Sequence, residues 1–249
     1  MVRGPTYKVG AHEMWMLDGD QKICPSLERG RFWEPDVAAI IDKYANPDWT
    51  FVDLGAHIGS FTLLAASRFK YVIAVEANPA AFEILKKNVE WNELTNVEVH
   101  QGAVWAHEGE VSFMPQVTNS GSSWVASRKE KPNAITVQAI TLPQILGERR
   151  PEFWKIDIEG SEFRALEGAT KLLDNHPPPY IIAEMNEPGL ALLGSSQDDL
   201  RSFLRNWGYE TFVLLNNFQV PVFLPAKTGL KPHSRSLNVL YCSVDHFAE

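Results

Sequence analysis

The heptapeptide Asp53-Leu54-Gly55-Ala56-His57-Ile58-Gly59 lies between an apolar run and a segment of helical spacing that carries Phe61, Leu64 and Ala65. Where a strand turns sharply into a helix, glycine allows backbone angles closed to other residues and lets a ligand approach the main chain. The crevice at the carboxyl end of such a strand is where open α/β sheets bind ligands. Recognition of a nucleotide-like ligand is the chemistry on offer. A dinucleotide fingerprint would need glycine at the positions held by Gly55, His57 and Ser60; two of the three fail, which disfavours NAD.

Two further strand ends carry carboxylates. Glu76 closes the run Tyr71–Val75 roughly twenty residues past the glycine loop, where a carboxylate can accept both hydroxyls of a ribose; a surface carboxylate beside the helix cap Asn78 is the alternative. The segment Trp154-Lys155-Ile156-Asp157-Ile158-Glu159-Gly160-Ser161-Glu162 places Asp157, Glu159 and Glu162 at or just beyond one strand end. One of these could accept a proton from a substrate hydroxyl, one could bind a cofactor ammonium, and one could favour the next helix's amino terminus. Asp157, Glu184 and Asn186 form an oxygen set that would suit Mg²⁺. Glu184 reads more simply as a substrate or core-edge carboxylate, and no metal is expected. The histidines show none of the spacings that bind zinc.

The elements that position these groups follow from periodicity. Phe51–Leu54, Tyr71–Val75, Trp154–Ile158 and Tyr180–Glu184 read as buried strands, with weaker ones at Val97–His100, Glu110–Phe113 and Ile135–Val137. Val37, Ile40, Ile41 and Tyr44 mark a helix behind Pro35, Asn78-Pro79 opens another, and Ser196 caps a third with Leu200, Phe203, Leu204 and Trp207 on its face. Such alternation implies a mostly parallel sheet covered by helices. Extended segments at Tyr209–Leu215, Phe218–Leu224 and Leu237–Val244 imply an antiparallel edge, and Glu13–Leu17 with Gln21–Cys24 suggests a hairpin about Asp18-Gly19. The expected organisation is an amino-terminal β appendage, residues 1–34, and a single Rossmann-like domain, residues 35–249. Pro115–Asn133 reads as a long loop, a lid or a mobile insertion.

Composition sets outer limits. Of 249 residues, 45% are hydrophobic, enough for one large core. A net charge of −8 and the lack of a basic run argue against nucleic acid as a partner. Cys24 and Cys242 form no disulfide framework, and no stretch approaches the ~20 apolar residues of a membrane span, so a soluble, cytoplasmic protein is expected, with oligomeric state unreadable.

Four segments, VDLGAHIGSFTLLAA, VIAVEANPAAFEILKKNVEWN, GAVWAHEGEVSF and KIDIEGSEFRALEGA, resemble in order and spacing the FkbM family of class I methyltransferases, from about Glu34 to Glu184. The resemblance implies a Rossmann-like fold with a seven-stranded, mostly parallel sheet and S-adenosyl-L-methionine as cofactor. It implies cofactor roles for Asp53, Gly55, Ala56, His57, Gly59 and Glu76, with Ala77 and Asn78 beside them and Ala103 near the adenine. Glu34 matches a glutamate near the cofactor's methionine end. Asp157 and Glu159 match the active-site segment, with Asp157 also counted among the cofactor contacts. The commonest family form has asparagine where this chain has His57. Relatives in glycan and natural-product pathways make a small-molecule or glycan hydroxyl the expected acceptor, with Asp157 the first choice of base and Glu159 the second. An NAD-dependent oxidoreductase and a catalytically silent cofactor-binding scaffold are the alternatives. Trp105, Trp124 and Phe218 are candidates for an acceptor wall.

Overall fold

The computed structural model of the chain describes residues 7–30, 32–126, 132–214, 221–226, 228 and 236–248. The amino-terminal segment forms a hairpin of β1 (Tyr7–Val9) and β2 (His12–Met14), followed by helices α1 (Ile23–Glu28) and α2 (Pro35–Tyr44). Then come β3 (Thr50–Leu54), α3 (Ser60–Ala66), β4 (Tyr71–Glu76), α4 (Pro79–Trp91) and β5 (Val97–Gln101). β6 (Ala103–Val104), β7 (Gly109–Met114), β8 (Trp124–Val125) and β9 (Ile135–Ile140) lead to α5 (Leu142–Leu146). β10 (Phe153–Ile156), α6 (Glu162–Gly168), α7 (Thr170–Asn175), β11 (Tyr180–Met185), α8 (Glu187–Leu192) and α9 (Gln197–Arg205) complete the alternating part. β12 (Glu210–Val213), β13 (Val222–Leu224), β14 (Leu237–Cys242) and α10 (Val244–Ala248) close the chain.

The main sheet has the order β13-β12-β14-β11-β10-β3-β4-β5. From β11 to β5 every neighbour is parallel, and β14, β12 and β13 join through antiparallel pairings. The sheet has eight strands rather than the expected seven, and β13, within the extended segment expected at Phe218–Leu224, lies at its antiparallel edge. Because β3, β4, β10 and β11 are covered on both faces, they read as nearly continuous apolar runs. One face packs against α2 and α3 through Val37, Ile41, Phe51, Phe61 and Phe153, and the other carries Val52, Leu54, Trp154, Ile156 and Leu166. The Val37, Ile40, Ile41 and Tyr44 stripe is buried as its spacing predicts, and Asn78 Oδ1 caps α4 by accepting from the Ala80 N–H.

Several expectations are corrected. The strands expected at Glu110 and Ile135 leave the main sheet and build a four-stranded one, β6-β9-β7-β8. The amino-terminal hairpin turns at Gly10-Ala11 rather than Asp18-Gly19, and Ile23–Glu28 is helical. Asp20 is the reason: its Oδ1 accepts from the N–H groups of Lys22 and Cys24 and turns the chain into a helix. Leu237–Val244 stops as a strand at Cys242, because Ser243 Oγ accepts from the His246 N–H and starts α10. The Pro115–Asn133 stretch contains a 3₁₀ turn, Ser120–Ser122, and strand β8. Residues 127–131, Asn216, Asn217 and Phe218 lie outside the described residues. Cys24 and Cys242 are free and buried. Among the described residues no helix is long and apolar enough to cross a membrane.

Asn88, wholly buried in α4, ties the amino-terminal segment to the main domain. Its Oδ1 accepts from the Trp15 N–H at 2.6 Å, and its Nδ2 donates to the carbonyls of Trp15 at 3.1 Å and Ile58 at 2.7 Å. Asn88→Leu strands these main-chain groups without water, so urea denaturation should show a loss of about 3 kcal/mol, and an unchanged midpoint would contradict this reading.

Candidate functional site

β3 ends where the chain must pass close beside the segment that follows β10. Gly55 has φ +79°, and a Cβ there would stand 1.8 Å from the carbonyl oxygen of Asp157. No other residue fits. The Gly55 and Ala56 N–H groups both donate to the Val75 carbonyl, which bends the loop over the end of β4 and opens a crevice above the sheet.

Glu76 faces that crevice from the end of β4. Its Oε2 accepts from the His57 N–H at 2.8 Å, and its Oε1 accepts from the Asn78 N–H at 2.6 Å. Each oxygen keeps a lone pair for a ligand. Burial outweighs these bonds and pushes the carboxyl up to about 7. His57 has φ +53°, and its Nε2 lies 2.7 Å from Ser120 Oγ. Ser120 Oγ donates to Asp20 Oδ2 at 2.6 Å, so His57 Nε2 carries the proton that bonds Ser120. Burial pushes the ring down to about 4, so it is neutral near pH 7. The Ser120 N–H also donates to Asp20, and the Gln21 N–H to the Thr118 carbonyl, which holds the 119–123 loop against the cavity.

Lys155 and Asp53 are cross-strand neighbours in register, on the face covered by α3. The Lys155 ammonium, 2% exposed, lies 3.1 Å from Asp157 Oδ2, 3.6 Å from Asp53 Oδ1 and 4.7 Å from the Phe61 ring centre. Burial works against its charge, but Asp157, Asp53 and Glu34 together outweigh it and hold the group above the usual lysine range. Asp53 also accepts from Thr62 Oγ1 at 2.7 Å, which anchors the first turns of α3.

Around this ion pair lie further carboxyls. Glu159, at φ +53°, accepts from Asn186 Nδ2 at 2.7 Å; burial and the Asp157 charge push it upward. Glu184, at the end of β11, is raised by burial and by Asp157, Glu159 and Glu162, and its Oε2 is buried with no hydrogen-bond partner. Glu34, in the left-handed region ahead of α2, accepts from Asn238 Nδ2 with Oε1, while its buried Oε2 has no partner. Burial and Asp157 raise it as well.

These groups share one cavity of about 300 Å³, at the lower end of small-molecule sites. Of the residues singled out by sequence, Glu34, Gly55, Ala56, His57, Glu76, Ala77, Ala103, Asp157 and Glu159 line it. Asp53, Gly59 and Asn78 do not. Asp53 lies beneath the floor with Lys155, Gly59 starts α3 at φ +94°, and Asn78 caps α4. Glu162 serves the turn, accepting from the N–H groups of Ile158 and Gly160. Asn186 spends its oxygen on the Gly189 N–H, and among the described residues no three His, Cys, Asp or Glu side chains are placed to hold a metal. Trp105 and Trp124 stand outside the cavity, whose aromatic lining is Trp33, Phe61 and Phe113. Sequence reasoning passed over Lys155, although a lysine within a buried apolar strand signals a buried counter-charge. It also passed over Trp33 and the Asp20–Ser120 contact.

The arrangement fits a cofactor with a ribose, a flat base and a cationic end. Glu76 would serve the ribose; Ala77, Ala103, Val104 and Phe113 form an apolar slot; the unpartnered oxygen of Glu34 awaits a donor. Residues 53–211 match the family described as the Methyltransferase FkbM domain. "Methyltransferase 1" of Beauveria bassiana is 26% identical over 147 residues, 49% of this chain and 59% of that one. Hexuronic acid methyltransferase AglP of Haloferax volcanii is 26% identical over 157 residues, 61% of this chain and 62% of that one. The chain thus spans about three-fifths of the length of these curated relatives. The crystal structure of methyltransferase FkbM from Methylobacillus flagellatus superposes with a TM-score of 0.52 at 18% identity, covering 78% of this chain and 44% of that one. Precorrin-6y C5,15-methyltransferase from Geobacter metallireducens gives 0.50 at 14% identity, covering 95% and 100%. These likenesses show the Rossmann-like methyltransferase fold.

The raised carboxyls set a pH dependence of stability. Glu76 and Glu162, both near 7, and Glu34, Glu159 and Glu184 bind protons more tightly folded than unfolded, so their contribution is full below pH 4.5 and is lost as pH rises through the folded values. His57 has the opposite sign, but its effect is complete by its ordinary value of 6.5. Between pH 6.5 and 8 the melting temperature of the ligand-free protein should therefore fall, each carboxyl contributing at most about 1.4 kcal/mol per pH unit. Glu76→Gln should flatten the slope, and thermal melts showing a rise across that window would contradict the assignment.

Proposed function

The chain belongs to the FkbM methyltransferase family, and from that premise we propose that it transfers the methyl group of S-adenosyl-L-methionine to a hydroxyl of a glycan or secondary metabolite. The observation that carries the reading is the convergence in one cavity of the Gly55 loop, Glu76 and the Asp157–Glu159 strand end. The relative AglP, named a hexuronic acid methyltransferase, supports a sugar-derived acceptor.

The cofactor supplies an electrophilic methyl group on a sulfonium. This chain's residues bind it, position the acceptor and take up a proton. Glu76 accepts the ribose hydroxyls, Glu34 the ammonium, and the 119–123 loop keeps water out. A hydroxyl is a weak nucleophile, so its proton must leave as the new carbon–oxygen bond forms. Asp157, ion-paired with Lys155 and lining the cavity, is the proposed base. Glu159, pushed upward by burial, holds a proton near neutrality and suits a hydrogen-bonding role toward the acceptor better.

Calorimetry should show binding of S-adenosylmethionine and S-adenosylhomocysteine but not NAD, with Glu76→Ala weakening both by at least about tenfold, or ~1.4 kcal/mol. NAD binding, or no binding of any of the three, overturns the cofactor assignment. Asp157→Asn should lower turnover by ~10²-fold or more. Turnover and cofactor affinity both near wild type would remove Asp157 from its proposed role.

A further inference from the structure

The cavity has two ends set by strand order. The glycine loop and Glu76 follow β3 and β4, while Glu159 and Glu184 belong to the ends of β10 and β11, on the far side of Asp157 from the cofactor loop. Resting on the methyl-transfer reading above, we propose that Glu184 and Glu159 form the acceptor subsite, and that it takes a group bearing a hydrogen-bond donor and no negative charge. That donor is a hydroxyl or an ammonium next to the oxygen to be methylated; phosphorylated acceptors and carboxylated ones are turned away, a departure from the hexuronic acid in the name of the relative AglP.

Glu184 is 6% exposed, lines the cavity, and has one oxygen without a partner. A buried acceptor atom facing a cavity is satisfied by a donor brought by the ligand or by water that the ligand displaces. Ser236 bonds the Glu184 carboxyl, and the neighbouring side-chain amides are spent. Asn238, the cross-strand neighbour of Glu184, donates to Glu34, and Asn186 donates to Glu159. Among the described residues of the cavity an incoming anion would find no free cation. Among the described residues lining the cavity, Lys155 is the single lysine or arginine, against Glu34, Glu76, Asp157, Glu159 and Glu184. Its ammonium is already held by Asp157 and Asp53. A neutral donor gains a bond to Glu184, and an ammonium also offsets the burial and neighbouring charge that push its carboxyl upward.

The test uses matched pyranosides: methyl glucoside, methyl glucosaminide and methyl glucuronide, with glucose 6-phosphate as a second anion. Binding to the S-adenosylhomocysteine-loaded protein is measured by calorimetry, and turnover by S-adenosylhomocysteine formation. The glucoside, the glucosaminide or both should bind at least tenfold more tightly than the two anions, and the stronger of the pair identifies hydroxyl or ammonium as the donor. Glu184→Leu should weaken the preferred sugar at least tenfold while cofactor affinity stays within twofold; Glu184→Lys should admit the glucuronide. Wild-type preference for an anion, an equal loss of cofactor and sugar affinity in Glu184→Leu, or binding of no sugar overturns the inference while leaving methyl transfer in place. Failure of the wild type to bind S-adenosylmethionine would instead sink the methyl-transfer reading, and this inference with it.

Discussion

A lysine ammonium buried in the middle of a parallel sheet must find negative charge within reach, and in this chain it finds two carboxylates. Lys155 occupies a position on β10 whose strand neighbours are Trp154 and Ile156, and its side chain shares a face with Phe51 and Phe153. Removing such a charge from water costs several kcal/mol, returned only where partners sit close and are themselves held. Asp53 supplies one partner from the adjacent strand and Thr62 holds Asp53; Asp157 supplies the other at the cavity floor. The same pairing of β3 with β10 brings the loop after β3 so close to Asp157 that only glycine fits at position 55. The bend of the glycine loop and the placement of Asp157 thus share one cause.

One cation for so many carboxyls leaves a surplus. Glu34, Glu76, Glu159 and Glu184 are drawn out of water without compensating charge, and all are pushed upward. Backbone strain collects in the same place. Among the described residues Glu34, His57, Glu93, Asn133 and Glu159 are the non-glycine residues at positive φ, and three of them line the cavity. Strain and unpaired charge persist only where the surrounding structure over-determines them, and a ligand that brings donors and positive charge relieves both.

What the sequence made legible was what local periodicity controls. The strands around Phe51, Tyr71, Trp154 and Tyr180 announce themselves because a strand buried on both faces is apolar throughout, and the Val37–Tyr44 stripe because a helix repeats every 3.6 residues. The glycine loop and Glu76 were legible because spacing from a strand end fixes their place. Contacts between distant segments were not. Nothing near Asp20 states that its carboxylate meets Ser120, 100 positions away, and Asp18-Gly19 signals a turn whether a strand or a helix follows. Aromatic residues mislead for a related reason: Trp105 and Trp124 are large enough to line a site, but Trp124 lies in the smaller sheet and Trp105 directly follows that sheet's β6, and Trp33 takes that place.

The amino-terminal residues read from sequence as an appendage contribute to the site itself. Ile23, Trp33 and Glu34 line the cavity, and Asp20 holds Ser120, which in turn meets His57. A histidine where the family's common form has asparagine gives the glycine loop the reach for this contact. Its main-chain N–H meanwhile bonds Glu76, so a single residue joins that carboxylate to the loop above it. The ring does this with Nε2 donating to a serine whose own proton is committed to Asp20. These bonds join the 119–123 loop, the amino-terminal segment and the Glu76 end of the cavity into one hydrogen-bonded unit, within which burial keeps the ring neutral near pH 7.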